Sequence, residues 1–160
     1  MAIHTERLQA IIDEKLKPVV KKVDEQAFYA EEYILALGEE GFFNSNAKSE
    51  ATILQDEATV VLETAKVCMT TAFCVWCHLA ALTYIRHSDN SYLKSNILPK
   101  LENGELLGAT GLSNPMKYYS GLEKLHLSAQ KVEGGYRING ILPAVSNLGS
   151  RHYFGAIAAI

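Results

Sequence analysis

Cys74-Val75-Trp76-Cys77-His78 reads as C-x-x-C-H, the spacing at which two thiols bind the vinyl groups of a c-type haem while the histidine ligates iron. Together with Cys68, the same residues offer thiolate and imidazole ligands for a metal. Neither chemistry suits the setting. Residues at i, i+3 and i+4 share one helix face, but Cys68 stands almost two turns from Cys74. The stretch 67–85 is apolar apart from Thr70, Thr71, His78 and Thr83, so it reads as a buried helix whose cysteines act as small apolar side chains. Its length is at the lower edge of a membrane span, and the interruptions favour burial within the protein over a span. Three cysteines clustered in one helical segment make no disulfide framework and fit a reducing, cytoplasmic compartment. No metal ligand and no catalytic residue is assigned.

Other residues with chemical capacity have ordinary readings beside them. Tyr118-Tyr119 can line a channel for a ligand or cover a sheet edge. Arg151 and His152 could meet a phosphate, but at a strand start they read as a solvated loop end. Lys15, Lys17, Lys21 and Lys22 are interleaved with Asp13, Glu14, Asp24 and Glu25, the pattern of a solvated helix face. A net charge of −3 leaves no global basic field for nucleic acid phosphates. With 48% apolar and 21% charged residues in 160, the composition is that of an ordinary globular chain. The N-terminus has no uninterrupted apolar run before a cleavage site, so no secretory signal is read.

The elements that must position these residues fall into two halves. Leu8, Ile11, Ile12, Leu16, Val19, Val20 and Val23 follow the three-four spacing of one helix face, with Pro18 predicting a kink or a new helix start. A second helix is expected from Glu31 to Leu37, stopping at Gly38 or Gly41. Ser49 is the candidate N-cap of a third, ending near Lys66. The stretch 67–87, apolar nearly all round, is expected to be the enclosed central helix of a bundle. After the polar break 88–91, a short helix over 92–101 is interrupted near Pro99, and Glu102-Asn103-Gly104-Glu105 closes the helical half. Beyond Glu105 the pattern turns to strands. Leu125, Leu127 and Ala129 alternate with His126, Ser128 and Gln130. Gly134-Gly135 and Asn139-Gly140 each predict a hairpin, giving a three-stranded meander, with 153–160 as a further apolar strand. Such a sheet looks unfinished, which suggests a fragment of a longer polypeptide or a subunit completed by another chain.

The run AFCVWCHLAALTYIRHSDNSYLKSNILPKLENGELLGATGLSNP, from Ala72 to Pro115, resembles the acyl-CoA dehydrogenases. It has their buried helix with a histidine, leucine-proline helix end, Gly-Glu turn and strand leading into a Thr-Glu-Pro segment. Glu39-Glu40-Gly41-Phe42-Phe43 fits the family's opening. KVEGGYRINGILPAVSN resembles its Gly-x-Tyr-x-Ile-Asn-Gly hairpin. The fold class implied is α+β: an N-terminal all-α helical bundle over residues 1–106, then the first strands of an antiparallel β domain over 107–160, apparently truncated.

The resemblance implies FAD as cofactor, acyl-CoA or another acyl thioester as substrate, a homo-oligomer, and an electron-transfer acceptor protein as a further partner. It implies an α,β-dehydrogenation in which a base removes the α proton and flavin N5 takes the β hydride. The family's C-terminal bundle, which carries that base, has no counterpart here, so the piece alone is expected to be inactive. The cofactor-facing positions it implies are Thr110, Leu112, Ser113, Ser120, Ala144 and Ser146. Ser113 and Ser146 keep hydroxyls, whereas Ala144 stands where the family stacks an aromatic ring on the flavin. Alternatives are a monooxygenase on the same fold, or a non-catalytic member serving association.

Overall fold

The computed structural model describes residues 5–160. Helix α1 (Thr5–Ile11) runs into a π turn at Ile12–Leu16 and a 3-10 turn at Lys17–Val19 before α2 (Val20–Gln26) resumes. Pro18 explains the sequence of turns: it has no N–H to offer, and the helix widens just ahead of it, with the Lys17 amide reaching back to Ile12. The apolar stripe survives the change, and Leu8, Ile11, Ile12 and Leu16 are all buried. Lys17 and Lys21 pair with Asp13 and Glu25 at 2.7 and 3.7 Å on the solvated side.

Helix α3 (Glu31–Glu39) ends before Gly41, which takes φ +78°, the left-handed conformation expected there. Its Tyr33 is fully buried and donates its hydroxyl to Thr64 Oγ1 at 2.6 Å, because Thr64 already gives its own proton to the Val60 carbonyl at 2.7 Å. Helix α4 (Glu50–Ala65) starts on the predicted cap, with Ser49 Oγ accepting from the Thr52 amide at 3.2 Å. Ser49→Ala should cost about 1 kcal/mol, read from the urea midpoint, because one first-turn amide then loses its partner. An unchanged midpoint would mean that water replaces the cap in full.

Helix α5 (Met69–Arg86) lies against α4, β1 and the short helices that follow it. It is not enclosed all round, contrary to the expectation from its apolar sequence. Val75, Leu79, Leu82 and Ile85 are buried, but Met69, Phe73 and Trp76 stand open on the outer side, Phe73 and Trp76 stacked at 5.7 Å. Apolarity all round says that a helix has uses for every face; this chain alone does not fill them. Arg86, at the end of α5, ties the bundle together, with Nη1 on Glu57 at 2.5 Å and Nη2 on the Phe43 carbonyl at 2.9 Å and Glu102 at 3.4 Å. A π turn (Leu93–Ile97) and α6 (Leu98–Glu102) follow, with Pro99 in the first turn of α6, and Gly104 at φ +77° closes the helices.

The buried apolar core runs from Leu8 to Ala109, so it belongs to the helices and the first strand, β1 (Leu107–Thr110). Past β1 come α7 (Ser113–Tyr119), β2 (Leu127–Val132), β3 (Gly135–Gly140) and β4 (His152–Gly155). The overall class is mixed α+β, as expected, with corrections in the second half. The segment at Ser113-Asn114-Pro115 is helical, not strand. Its proline sits in the first turn, where a missing N–H costs no helical bond.

Gly134, at φ +78°, makes the predicted hairpin between β2 and β3, but Asn139-Gly140 makes none. Gly140 pairs opposite Leu127 at the end of the ladder, its backbone so close to His126 that a Cβ would meet the His126 carbonyl at 2.1 Å, and the chain then leaves the sheet. There is therefore no meander. The strand expected over 153–160 is short. Over four residues β4 pairs parallel to β1, and Ala159 then bridges to β2, its amide reaching the Leu127 carbonyl at 2.9 Å. Two small sheets result, β1–β4 and β2–β3, and β3 is exposed along its whole length.

Candidate functional site

Four of the six residues singled out as cofactor-facing lie at one end of β1. Thr110, the last residue of that strand, forms a pair of backbone hydrogen bonds with Ser146, each amide donating to the other's carbonyl at 3.0 Å. The Thr110 hydroxyl accepts from the Leu112 amide at 3.3 Å, so the chain folds back immediately after the strand. Ser113 begins α7, exposed, and as the first helical residue its amide has no intrahelical acceptor. Thr110, Leu112, Ser113 and Ser146 therefore share one neighbourhood. Ser120 and Ala144 are not part of it. Ser120 ends α7 with its hydroxyl donating to the Met116 carbonyl at 2.9 Å, and Ala144 is exposed in the loop after β3.

The donor set can be judged from this geometry. Thr110 and Ser146 use their amides on each other, so they can offer a bound group only hydroxyls; Ser113 can offer both hydroxyl and amide. Hydrogen-bond donors grouped this way suit an acceptor-rich ring edge such as the pyrimidine side of a flavin, where negative charge gathers on reduction. No aromatic ring stands at position 144 to stack on such a ring system.

Behind the site lies α5. Cys77 is buried, and burial first, then neighbouring Cys74, pushes its thiol up to about 11 while the facing Ser146 hydroxyl opposes the rise. Cys74 is raised in the same direction, chiefly by burial. Thiols held protonated are poor metal ligands and poor nucleophiles. Among the described residues, no group of three or more His, Cys, Asp and Glu side chains comes together as a metal site.

His78 is fully buried, and its Nδ1 accepts the Gly108 amide of β1 at 2.9 Å. That bond places the ring proton on Nε2, which faces the Leu101 carbonyl outside hydrogen-bond geometry and has no partner among the described residues. The ring packs against Phe43 with centroids 4.5 Å apart. Histidine here fastens the strand to the helix instead of holding iron.

Three residues of this neighbourhood have structural tasks that the sequence reading did not assign, although Asn114 and Asn147 lie within the stretches that carry the family resemblance. Asn147 takes φ +60°, donates Nδ2 to the Gly108 carbonyl at 2.8 Å and accepts the Tyr29 hydroxyl on Oδ1 at 2.8 Å. Asn114 is buried and organises the turn after α7, with Oδ1 accepting from the His126 amide and Nδ2 donating to the Lys124 carbonyl, both at 2.9 Å. Tyr84 borders an apolar groove of about 670 Å³ between α4 and α5, lined also by Leu54, Val61, Leu62, Trp76 and Leu112, and its buried hydroxyl has no partner among the described residues. Asparagine's tolerance of the left-handed region was a usable signal for Asn147; the sequence has none for Tyr84. Tyr118 and Tyr119 are exposed on α7 in an edge-on pair at 5.2 Å, bordering none of these features. Arg151 is exposed, whereas His152 turns inward and its Nδ1 donates to the Asn147 carbonyl.

The acyl-CoA dehydrogenase N-terminal domain matches residues 4–105. Among solved structures, the FAD complex of PigA and PigA with FAD and proline each superpose with a TM-score of 0.65, and apo-form PigA with 0.67, all at 21% identity. Each covers 85% of this chain, which in turn spans only 38% of PigA's length. None of the curated proteins compared with the chain matches it. With the family's domain matching well over half of its length, the chain belongs to the acyl-CoA dehydrogenase family.

Proposed function

We propose that this chain is the N-terminal portion of an FAD-dependent oxidoreductase that removes hydrogens from an acyl thioester. The carrying observation is the grouping of Thr110, Ser113 and Ser146 at the end of β1, where Leu112 turns the chain, a set of hydroxyls with the free Ser113 amide that suits a flavin edge. The FAD complexes of PigA, on the same fold, support that cofactor. When bound, FAD would accept the hydride; this chain's part would be to hold the ring edge and keep water from it. Ser120 would serve the same cofactor farther along, and Ala144 would leave the ring face open. The helical domain would cover residues 1–106 and the partial β domain 107–160. Acyl-CoA is the proposed substrate, with an electron-transfer protein as acceptor in a cytoplasmic setting. A homo-oligomer draws support from the open Met69, Phe73 and Trp76 stripe on α5. No helix among the described residues is long and apolar enough to cross a membrane.

A second reading, a non-catalytic member kept for association, is favoured by the alanine at the stacking position. Absorbance separates the two. The complete reading frame, purified with added FAD, should be yellow and should bleach on anaerobic addition of acyl-CoA. A colourless product that takes up no FAD would sink the enzyme reading; a yellow one that bleaches only with an external reductant would point to a monooxygenase.

A further inference from the structure

Asn147 ties together three separate parts of the molecule, and the family match, which ends at residue 105, does not reach it. Its side chain donates to Gly108 in β1 and accepts from Tyr29, which lies between α2 and α3 in the helical half; its own carbonyl accepts from His152 at the start of β4. The residue before it, Ser146, is the one whose backbone pairs with Thr110. Asparagine is among the few non-glycine residues that occupy φ near +60° readily, so the latch is made without a steric penalty at Cβ. Tyr29 is a reliable donor, since burial pushes its phenol well above the ordinary range.

The loop from Gly140 to His152 has few other anchors. Ile141, Pro143, Ala144, Leu148 and Gly149 are exposed, and no helix or strand runs through it. Its position against β1 therefore depends on the Thr110–Ser146 pair and on Asn147. We propose that Asn147 is a positioning residue: it fixes the Ser146 backbone beside Thr110 and couples that pair to the helical half through Tyr29. This rests on the flavin reading of Thr110 and Ser146 given above. Asn147 itself need not touch the cofactor.

The test uses the complete reading frame and two independent readouts: hydrogen exchange in peptides spanning 107–112 and 144–149, and the dissociation constant of FAD. Asn147→Gly keeps the left-handed backbone accessible and removes both side-chain bonds. Exchange in both peptides should accelerate by roughly tenfold while peptides from α3 and α5 are unchanged, and FAD should bind about tenfold more weakly. Tyr29→Phe, which removes only one bond, should fall between it and wild type. Ser146→Ala should weaken FAD without altering exchange, separating the hydroxyl from the residue that holds it. Unchanged exchange in Asn147→Gly overturns the latch; accelerated exchange with an unchanged FAD constant overturns its role toward the cofactor. Failure of the wild type to bind FAD is a different result, and removes the flavin reading together with the positioning role built on it.

Discussion

Acidification from pH 7 to pH 4.5 should cost this protein about 3 kcal/mol through His78 alone, and His78→Asn should abolish that part of the loss. The ring is buried on all sides, and burial, assisted by neighbouring His152 and Arg86, pushes its pKa down from 6.5 to about 3, while the facing Leu101 carbonyl opposes the shift. In the unfolded chain the same ring titrates near its ordinary value. Above about pH 6.5 both states are neutral and the stability is intact; between pH 6.5 and about 3 the unfolded state takes a proton that the folded state refuses. Each pH unit in that window then costs up to about 1.4 kcal/mol. Protonation would also destroy the acceptor that receives the Gly108 amide, so unfolding should begin where β1 lies on α5.

Asparagine presents an oxygen near the place of Nδ1 and does not titrate. At pH 7.5 His78→Asn should lose roughly 2 kcal/mol of packing against Phe43, because a smaller group leaves a void. Urea midpoints measured from pH 7.5 to 4.5 should then fall more shallowly for the variant than for wild type. Parallel lines would show that groups other than the histidine carry the acid sensitivity.

His78 also shows what could and could not be read from the sequence. The helices were legible because amphipathic spacing, Ser49, Pro18 and the glycines after α3 and α6 act within a few residues of themselves, where local chemistry decides. A C-x-x-C-H string, by contrast, is given its meaning by what surrounds it in space: a β-strand amide 30 positions away settles the histidine as an acceptor. The second half was less legible for the same reason. Alternation around Leu127 marked a strand, and Gly134-Gly135 marked its turn, but the pairing of β4 with β1 depends on residues far apart in the chain. Turn chemistry at Asn139-Gly140 was present without a third strand to receive it. The grouping of Thr110 with Ser146 likewise came from long-range pairing, and the task of Asn147 is set by partners far from it in the chain, Tyr29 and Gly108.

Gly38→Ala should destabilise the protein by about 3 kcal/mol, although in an isolated helix the same change would favour folding by up to about 1 kcal/mol. Gly38 lies inside α3 with helical geometry, so its conformational freedom is not the issue. A Cβ there would stand 2.4 Å from the Gly104 nitrogen and 2.5 Å from its Cα, and both are backbone atoms of the turn that ends the helical half. Ordinary contact needs about 1 Å more, and neither side can yield by rotating a side chain. Gly104 cannot retreat, because its φ of +77° sets the turn and its own Hα side faces the Leu35 carbonyl, where a Cβ would come within 2.5 Å. Helix α3 must therefore move away from the turn after α6, opening the packing around buried Leu37 and Leu101. Gly41→Ala supplies the control. Gly41 also has positive φ, +78°, but a Cβ there meets nothing within 4 Å, so only the backbone cost of about 1 kcal/mol applies. Thermal unfolding should place Gly38→Ala roughly 10 °C below wild type and Gly41→Ala only a few degrees below it. Equal shifts in the two variants would mean that left-handed turn geometry, and not the close approach of α3 to Gly104, limits this part of the fold.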